Sequence, residues 1–338
     1  MTLSEFMNEW ERPTDYISVK TSGSTGTPKE INISKANMRR SAEITCRFLG
    51  LHPGDTALLC MPLDYIAGKM VVVRSIVCQL QLISVPPSNR PLETLTEAPT
   101  FAAMVPSQVY AILTENGRQA HLLRQIKHLI IGGGAIQPEL HKLLQSWPAT
   151  SHVWSTYGMT ETLSHIALRQ LNGPNQSEWY YTPFPSVRVA SNAQNCLVIS
   201  CPWAINPLLV TNDIAEVNAE GKFRILGRID NIICTGGIKI QIEKVEQLLI
   251  SYMDKLGIHD FAITSIDDKQ YGQAIVLIYC GPREILVTNP HAREQIHDLL
   301  PQYHSPRYFV ATKEPLPTTG TGKPARAAIK ELAKKSLI

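Results

Sequence analysis

The densest chemistry in the chain lies near its start, where Thr21-Ser22-Gly23-Ser24-Thr25-Gly26-Thr27-Pro28-Lys29 crowds hydroxyls, glycines and a cation into one short segment. Glycines let a backbone turn tightly and approach an anion, while hydroxyls and backbone N–H groups surround phosphate oxygens. Lys29 at the exit adds a point charge for them. The alternative is a plain Ser/Thr/Gly turn, which the strand-like Tyr16–Thr21 before it and the helical Ser34–Leu49 after it disfavour. The segment is not a G-x-x-x-x-G-K-[ST] phosphate loop, because Lys29 follows a proline and Glu30 follows Lys29, so kinase or GTPase chemistry is disfavoured. Farther along, Ser155-Thr-Tyr-Gly-Met-Thr-Glu161, Thr211-Asn-Asp213, Gly227-Arg-Ile-Asp230 and Pro317-Thr-Thr-Gly-Thr-Gly-Lys323 collect carboxylates, hydroxyls and cations. Such groups suit the alignment of phosphates and a hard metal ion. Gly132-Gly133-Gly134-Ala135-Ile136 follows a strand and taken alone is no more than a turn.

These segments need elements to position them. Ala57–Cys60, Leu82–Val85, Phe101–Val105 and His128–Ile131 read as short buried strands. Ile66–Cys78, Gln108–Glu115 and Pro138–Leu144 read as helices between them. That alternation implies an α/β fold with much parallel sheet. Ser34 is the expected N-cap of its helix. From Trp179 the pattern changes to short strands with polar turns, which suggests an antiparallel, barrel-like part. After Asp230 comes a compact module with a Gly236-Gly237 turn, a helix from Ile242 to Met253, strands Asp260–Ser265 and Ala274–Cys280, and helices near Ala292–Leu300 and from Ala325. The expected organisation is a large domain over 1–229, built of α/β layers with a small barrel-like part, and a small mobile α+β domain over 230–338.

Taken in order, the motifs resemble those of the acyl-adenylate-forming superfamily, which includes acyl-CoA synthetases, adenylation domains and luciferases. Tyr157-Gly-Met-Thr-Glu161 is similar to its Y-G-x-T-E motif. Thr211-Asn-Asp213 is similar to its T-G-D, with Asn212 where glycine is usual. Gly227–Asp230, Thr235-Gly-Gly-Ile-Lys239 and Pro317–Lys323 resemble its hinge, downstream glycines and C-terminal lysine motif. The resemblance covers essentially the whole chain.

It implies a two-step reaction in which ATP activates a small-molecule carboxylate as an acyl-adenylate and the acyl group then passes to coenzyme A. By the same resemblance, Thr21, Ser22, Gly23, Ser24, Thr25, Gly26 and Lys29 hold phosphates. Thr160 meets the α-phosphate, Glu161 holds Mg2+, and Gly133, Gly134 and Ala135 lie against adenine, with Tyr157 and Gly158 nearby. Asp213 takes the ribose hydroxyls with Arg228 assisting, and Lys323 bridges carboxylate and α-phosphate. Asp230 is the implied hinge, and Gly236, Gly237 and Lys239 are the implied contacts of CoA.

Within the superfamily the chain is most similar to a short form of the o-succinylbenzoate–CoA ligases of menaquinone synthesis. That resemblance places Tyr65, Ala67, Ser164 and His165 at the acid and gives Arg74 the second carboxylate of a diacid, a task suited to a bidentate guanidinium. An ordinary helix-face ion pair is the other reading of Arg74. Lys69 and Arg90 are further pocket candidates. Two departures matter. The superfamily carries well over a hundred residues before its phosphate loop, so the large domain is expected to be truncated at its N-terminus, with a homo-oligomer as one way of covering the exposed surface. Asp64 also stands where amino-acid-activating relatives bind an ammonium, which keeps open an enzyme that activates amino or aryl acids and loads a carrier protein. A nucleotide-binding scaffold without activity is a third reading, disfavoured by the joint presence of Glu161, Asp213, Arg228 and Lys323.

Bulk properties agree with an enzyme of small molecules. The formal net charge of +3 over 338 residues argues against nucleic acid as the main partner. Seven scattered cysteines without a C-x-x-C pair suggest free thiols, and the polar, acidic Met1–Thr14 has no signal-peptide h-region. The longest apolar run is broken by Lys69 and Arg74, so no membrane span is expected and a cytoplasmic location is the default.

Overall fold

The computed structural model describes residues 1–20, 30–115, 117–148, 150–174, 179–319 and 323–337. Its centre is a seven-stranded sheet ordered Gln81–Ser84, Thr56–Leu59, Phe101–Met104, His128–Ile131, His152–Gly158, His165–Gln170, Thr182–Pro183. The first five strands run parallel, and the last two join antiparallel. Phe101–Met104 and His128–Ile131 are buried at every position, as parallel strands must be when both sheet faces are covered. One face packs on Lys35–Leu49 and Ile66–Val77 through residues such as Met38, Ala42, Val71 and Val73. The other packs on Pro106–Glu115, Arg118–Gln125 and Pro138–Gln145 through Val109, Ile112, Leu123 and Leu140. Parallel strands share one carboxyl edge, so the loops following Leu59, Ile131 and Gly158 open together there, where ligands of open α/β sheets bind.

Arg188–Ser191, Cys196–Ser200, Leu208–Val217 and Phe223–Arg228 form a four-stranded antiparallel sheet. It abuts the central sheet through a bridge between Tyr181 and Phe223, in accord with the barrel-like part expected there. Its register sets Asp213 opposite Arg228. Beyond Ile229–Asn231 a five-stranded sheet (Ile232–Thr235, Ile238–Gln241, Phe261–Asp268, Gly272–Cys280 and Tyr308–Thr312) carries the helices Ile242–Lys255, Pro290–Leu299 and Arg326–Leu337. Among the described residues no hydrophobic cluster has members on both sides of Ile229–Asn231.

The sequence reading missed two elements at the start of the chain. Leu3–Glu11 is a helix closed by a capping box, in which Thr2 Oγ1 accepts from Glu5 N–H and the Glu5 carboxylate accepts from Thr2 N–H at 2.6 Å. It buries Phe6 and Trp10 against the first core cluster. Its apolar residues Leu3, Phe6, Met7 and Trp10 follow helical spacing, a signal obscured by the polar residues between them. Glu30–Ser34 is a strand paired antiparallel with Tyr16–Lys20, so the helix after it starts at Lys35 with Ser34 as the expected N-cap. Residues 21–29, which carry the expected phosphate loop, lie outside the described residues; Lys20 and Glu30, on either side of them, are paired.

Candidate active site

The first group of site residues gathers where the small antiparallel sheet meets the central one. The Tyr157 hydroxyl donates to Asp213 Oδ2 at 2.6 Å, and Arg228 Nη1 donates to Asp213 Oδ1 at 2.7 Å. Burial, then the Asp213 charge, pushes the Tyr157 phenol well above its ordinary range, so it stays a donor. Burial works against the Arg228 charge, but Asp213 and Asp230 outweigh it and hold the guanidinium above its usual pKa. Arg228 is therefore no isolated surface ion pair: its second nitrogen donates to Asp230 at 3.0 Å. Tyr157 packs edge-on against Phe223 at 5.0 Å, which fixes its ring.

Gly158 follows Tyr157 at the end of its strand. A Cβ there would lie 2.4 Å from the Ser164 carbonyl oxygen and 2.5 Å from His165 Cα, so only glycine lets the two segments meet. Thr160 and Glu161 start the 3-10 turn Thr160–Thr162, and the Glu161 carboxylate makes no hydrogen bond or ion pair among the described residues. Gly133 lies in the left-handed region at φ 80°, and Gly133 and Ala135 are exposed beside the strand that carries Tyr157.

Ser164 and His165 belong to a second group, built around Arg74. The Arg74 side chain sits in the last turn of Ile66–Val77 at 2% exposure. Its Nη2 donates to Ser164 Oγ at 2.6 Å, and its Nε has no partner. Burial pushes its pKa down to about 10, still charged at neutral pH. Beyond Ser164 the bond directions follow from counting protons. The Thr45 hydroxyl donates to the Ser41 carbonyl, so it accepts from His165 Nε2–H at 3.2 Å. Burial, then the Arg74 charge, holds His165 well below its ordinary pKa and therefore neutral. Nδ1 is then an acceptor and takes the Ser164 hydroxyl proton at 3.3 Å. The chain of bonds thus ends at Arg74 with no carboxylate beside the guanidinium among the described residues, and the reading of Arg74 as an ordinary ion pair is set aside.

Other candidates fall elsewhere. Lys69, at 1% exposure, faces Glu9 at 3.7 Å and the Phe6 ring at 5.1 Å, so it anchors the N-terminal helix. Arg90 pairs with Glu115 at 2.8 Å on the surface. Asp64 is 55% exposed and holds the Met1 ammonium at 3.2 Å. Tyr65 stands at the N-cap position of the helix that carries Arg74 without a side-chain capping bond, and Ala67 is exposed in its first turn. No hydrogen bond or ring contact joins either to the Arg74 group among the described residues.

The Lys323 N–H donates to Thr319 Oγ1 at 3.2 Å, and its carbonyl accepts from Thr319 N–H at 2.7 Å. Burial of the ammonium lowers its pKa, the Asp213 charge raises it and Arg228 lowers it, so the lysine lies within electrostatic reach of the first group. Gly236 and Gly237, both at positive φ, turn the chain between Ile232–Thr235 and Ile238–Gln241, and Lys239 is exposed on the second of these strands. Sequence reasoning missed Thr45 and Asn212 as partners. Thr45 has no local signal, whereas Asn212 was visible as a departure at a glycine position.

Tyr157, Asp213 and Arg228 thus meet through hydrogen bonds, with a glycine loop following the neighbouring strand. Residues 7–193 match the family model described as AMP-binding enzyme, and the chain belongs to that family. Among its relatives is the 2-succinylbenzoate–CoA ligase of Salmonella typhimurium, 26% identical over 76% of this chain and 56% of that enzyme, so the chain spans little more than half of it. A solved acyl-CoA synthetase (AMP-forming)/AMP-acid ligase II-like protein from Dyadobacter fermentans is 31% identical, with 97% of this chain and 92% of that one covered and a TM-score of 0.62. The o-succinylbenzoate CoA synthetase of Bacillus subtilis, solved with its acyl-adenylate, shares the fold at a TM-score of 0.77 and 20% identity, over 93% of this chain and 68% of its own. Among the described residues no helix is long and apolar enough to cross a membrane.

Proposed function

We propose that this protein is an ATP-dependent acid–CoA ligase acting on a dicarboxylic aryl acid, o-succinylbenzoate being the best candidate. The observation that carries the choice of acid is Arg74, a buried guanidinium with a free Nε and no counter-ion among the described residues. An unpaired buried charge destabilises the free protein and is compensated when an anion binds. The second carboxylate of a diacid meets that need, and Ser164, held by His165, orients it. The names of the Salmonella and Bacillus relatives support the same acid. The same names do not favour the amino-acid alternative.

In this reading the chain divides at Asp230 into a nucleotide-binding domain and a smaller domain bearing Lys323. The reacting carboxylate of the acid attacks the α-phosphorus of ATP and pyrophosphate leaves; the CoA thiolate then attacks the acyl carbon and AMP leaves. Joining two anions in the first step is chiefly a problem of alignment and charge. Asp213, oriented by Tyr157 and Arg228, accepts the ribose hydroxyls. The exposed Gly133–Ala135 loop receives the adenine. Lys323 supplies positive charge between carboxylate and α-phosphate, and Thr160 donates to the same phosphate. The uncommitted Glu161 carboxylate suits Mg2+, which keeps several waters and binds through one or two carboxylates plus phosphates, and which when bound neutralises phosphate charge. Gly236, Gly237 and Lys239 serve the pantetheine arm and a phosphate of CoA after the smaller domain turns.

The direct test is Arg74→Ala. Loss of a charge-assisted bond costs about 1.5–3 kcal/mol, so kcat/KM for the diacid should fall roughly ten- to hundred-fold. Turnover of a monoacid such as benzoate should hardly change. Equal losses on both acids would remove Arg74 from acid selection.

A further inference from the structure

We infer that Asn212 is a positioning residue for the turn between the two half-reactions: its side-chain amide latches the hinge carboxylate of Asp230 in the orientation that keeps Lys323 at the nucleotide. The inference rests on the hinge reading of Asp230 given above. Asn212 lies on Leu208–Val217 beside Asp213, at an exposed position. Its Nδ2 donates to both oxygens of Asp230, at 3.1 and 3.0 Å. A glycine at this place, the residue usual in the resembling motif, has no side chain to do so.

The residues around the hinge are held from both sides. From the small antiparallel sheet come Asn212 and the Arg228 guanidinium, which spans Asp213 and Asp230 with its two terminal nitrogens. From beyond the hinge, Gln241 Nε2 donates to the Arg228 carbonyl at 3.0 Å, and Asn231 Nδ2 donates to Glu243 at 2.5 Å. Of the two side chains that reach Asp230 from that sheet, Arg228 is shared with Asp213, the proposed ribose ligand. Asn212 has no other hydrogen bond among the described residues. Both of its bonds break if the swing of Lys323 turns the Asp230 side chain away, as a change of φ at Asp230 does. They are solvent-exposed, so water replaces them at modest cost and the contact is a latch rather than a lock.

The test separates the half-reactions, adenylation by ATP–pyrophosphate exchange and transfer by single turnover of preformed acyl-adenylate with CoA. Asn212→Gly should leave adenylation within about two-fold and speed transfer roughly three- to ten-fold, the range set by one or two exposed hydrogen bonds. Asn212→Ser, too short to reach both oxygens, should shift transfer in the same direction, and it provides the measurement if the glycine variant folds poorly. In an Asp230→Ala background the Asn212→Gly change should have no further effect, because the latch has lost its catch. Unchanged transfer, equal shifts in both half-reactions, or an undiminished effect in the Asp230→Ala background would overturn the inference. The hinge reading is tested apart from it by Asp230→Pro, which should spare adenylation and cripple transfer; equal loss of both would sink that reading whatever Asn212 does.

Discussion

Arg74 illustrates at the scale of one residue how function and stability oppose each other. A buried guanidinium with no counter-ion among the described residues destabilises the free protein, and an apolar residue of similar length removes that burden. Arg74→Met should therefore raise the stability of the ligand-free protein by about 1–2 kcal/mol while lowering kcat/KM for the diacid as Arg74→Ala does; a lower melting temperature would mean that the guanidinium has a structural partner. His128 makes a second residue-scale case. Among the described residues neither ring nitrogen has a hydrogen bond, and the ring stacks on His152 at 5.5 Å. Burial, then Lys127 and His152, push its pKa down to about 4 from 6.5. The unfolded chain takes up this proton first, so the stability contributed by neutral His128 is complete above about pH 6.5 and is lost as pH falls toward 4. His128→Phe should make urea-unfolding stability less steep in pH across that window by about one proton; an unchanged slope would contradict the assignment. Arg74 was visible in the sequence as a candidate, but its lack of an anion was not, because its partner Ser164 lies ninety positions away.

At the scale of elements, the site depends on close approaches between segments. Gly158→Ala would drive a methyl group into the Ser164 and His165 backbone, which has no side-chain freedom to yield. Overpacking of this kind costs on the order of 1–3 kcal/mol. Because the displaced segment carries both Glu161 and Ser164, adenylation should collapse while circular dichroism stays native; near-normal activity would show that the two segments tolerate separation. The N-terminal helix is an element of a different kind, since it closes the face of Lys35–Leu49 and Ile66–Val77 with Phe6, Trp10 and the Glu9–Lys69 pair. Trp10→Ala should cost about 3–5 kcal/mol, read by denaturant unfolding. The alternating strands and helices of the central sheet were legible because their apolar runs and spacing are local. The helix Leu3–Glu11 and the strand Glu30–Ser34 were not, because the first hides its stripe among polar residues and the second is a short alternating run directly before a helix.

For the whole molecule, the ordered motifs of the sequence identified the family, and the fold brings those of Tyr157, Asp213 and Arg228 together beside the central sheet. Asp213, Arg228 and Tyr157 meet through hydrogen bonds, while Lys323 arrives from a sheet with its own hydrophobic clusters. Lys69 and Arg90, candidates for a pocket in the sequence, face Glu9 and Glu115, and nothing local in the sequence distinguishes a structural cation from a ligand-binding one. Lys323→Ala should keep ATP binding while losing adenylation, whereas a scaffold that only binds nucleotide would be indifferent to the change. The central claim is ATP-dependent ligation of a diacid to CoA, and pyrophosphate release across a panel of carboxylates, with ATP, Mg2+ and CoA present, tests it most directly. The account predicts strong CoA-dependent release with o-succinylbenzoate, accompanied by AMP and the acyl-CoA thioester, and little with monoacids or amino acids. Turnover confined to amino acids, or no release with any carboxylate, would contradict it.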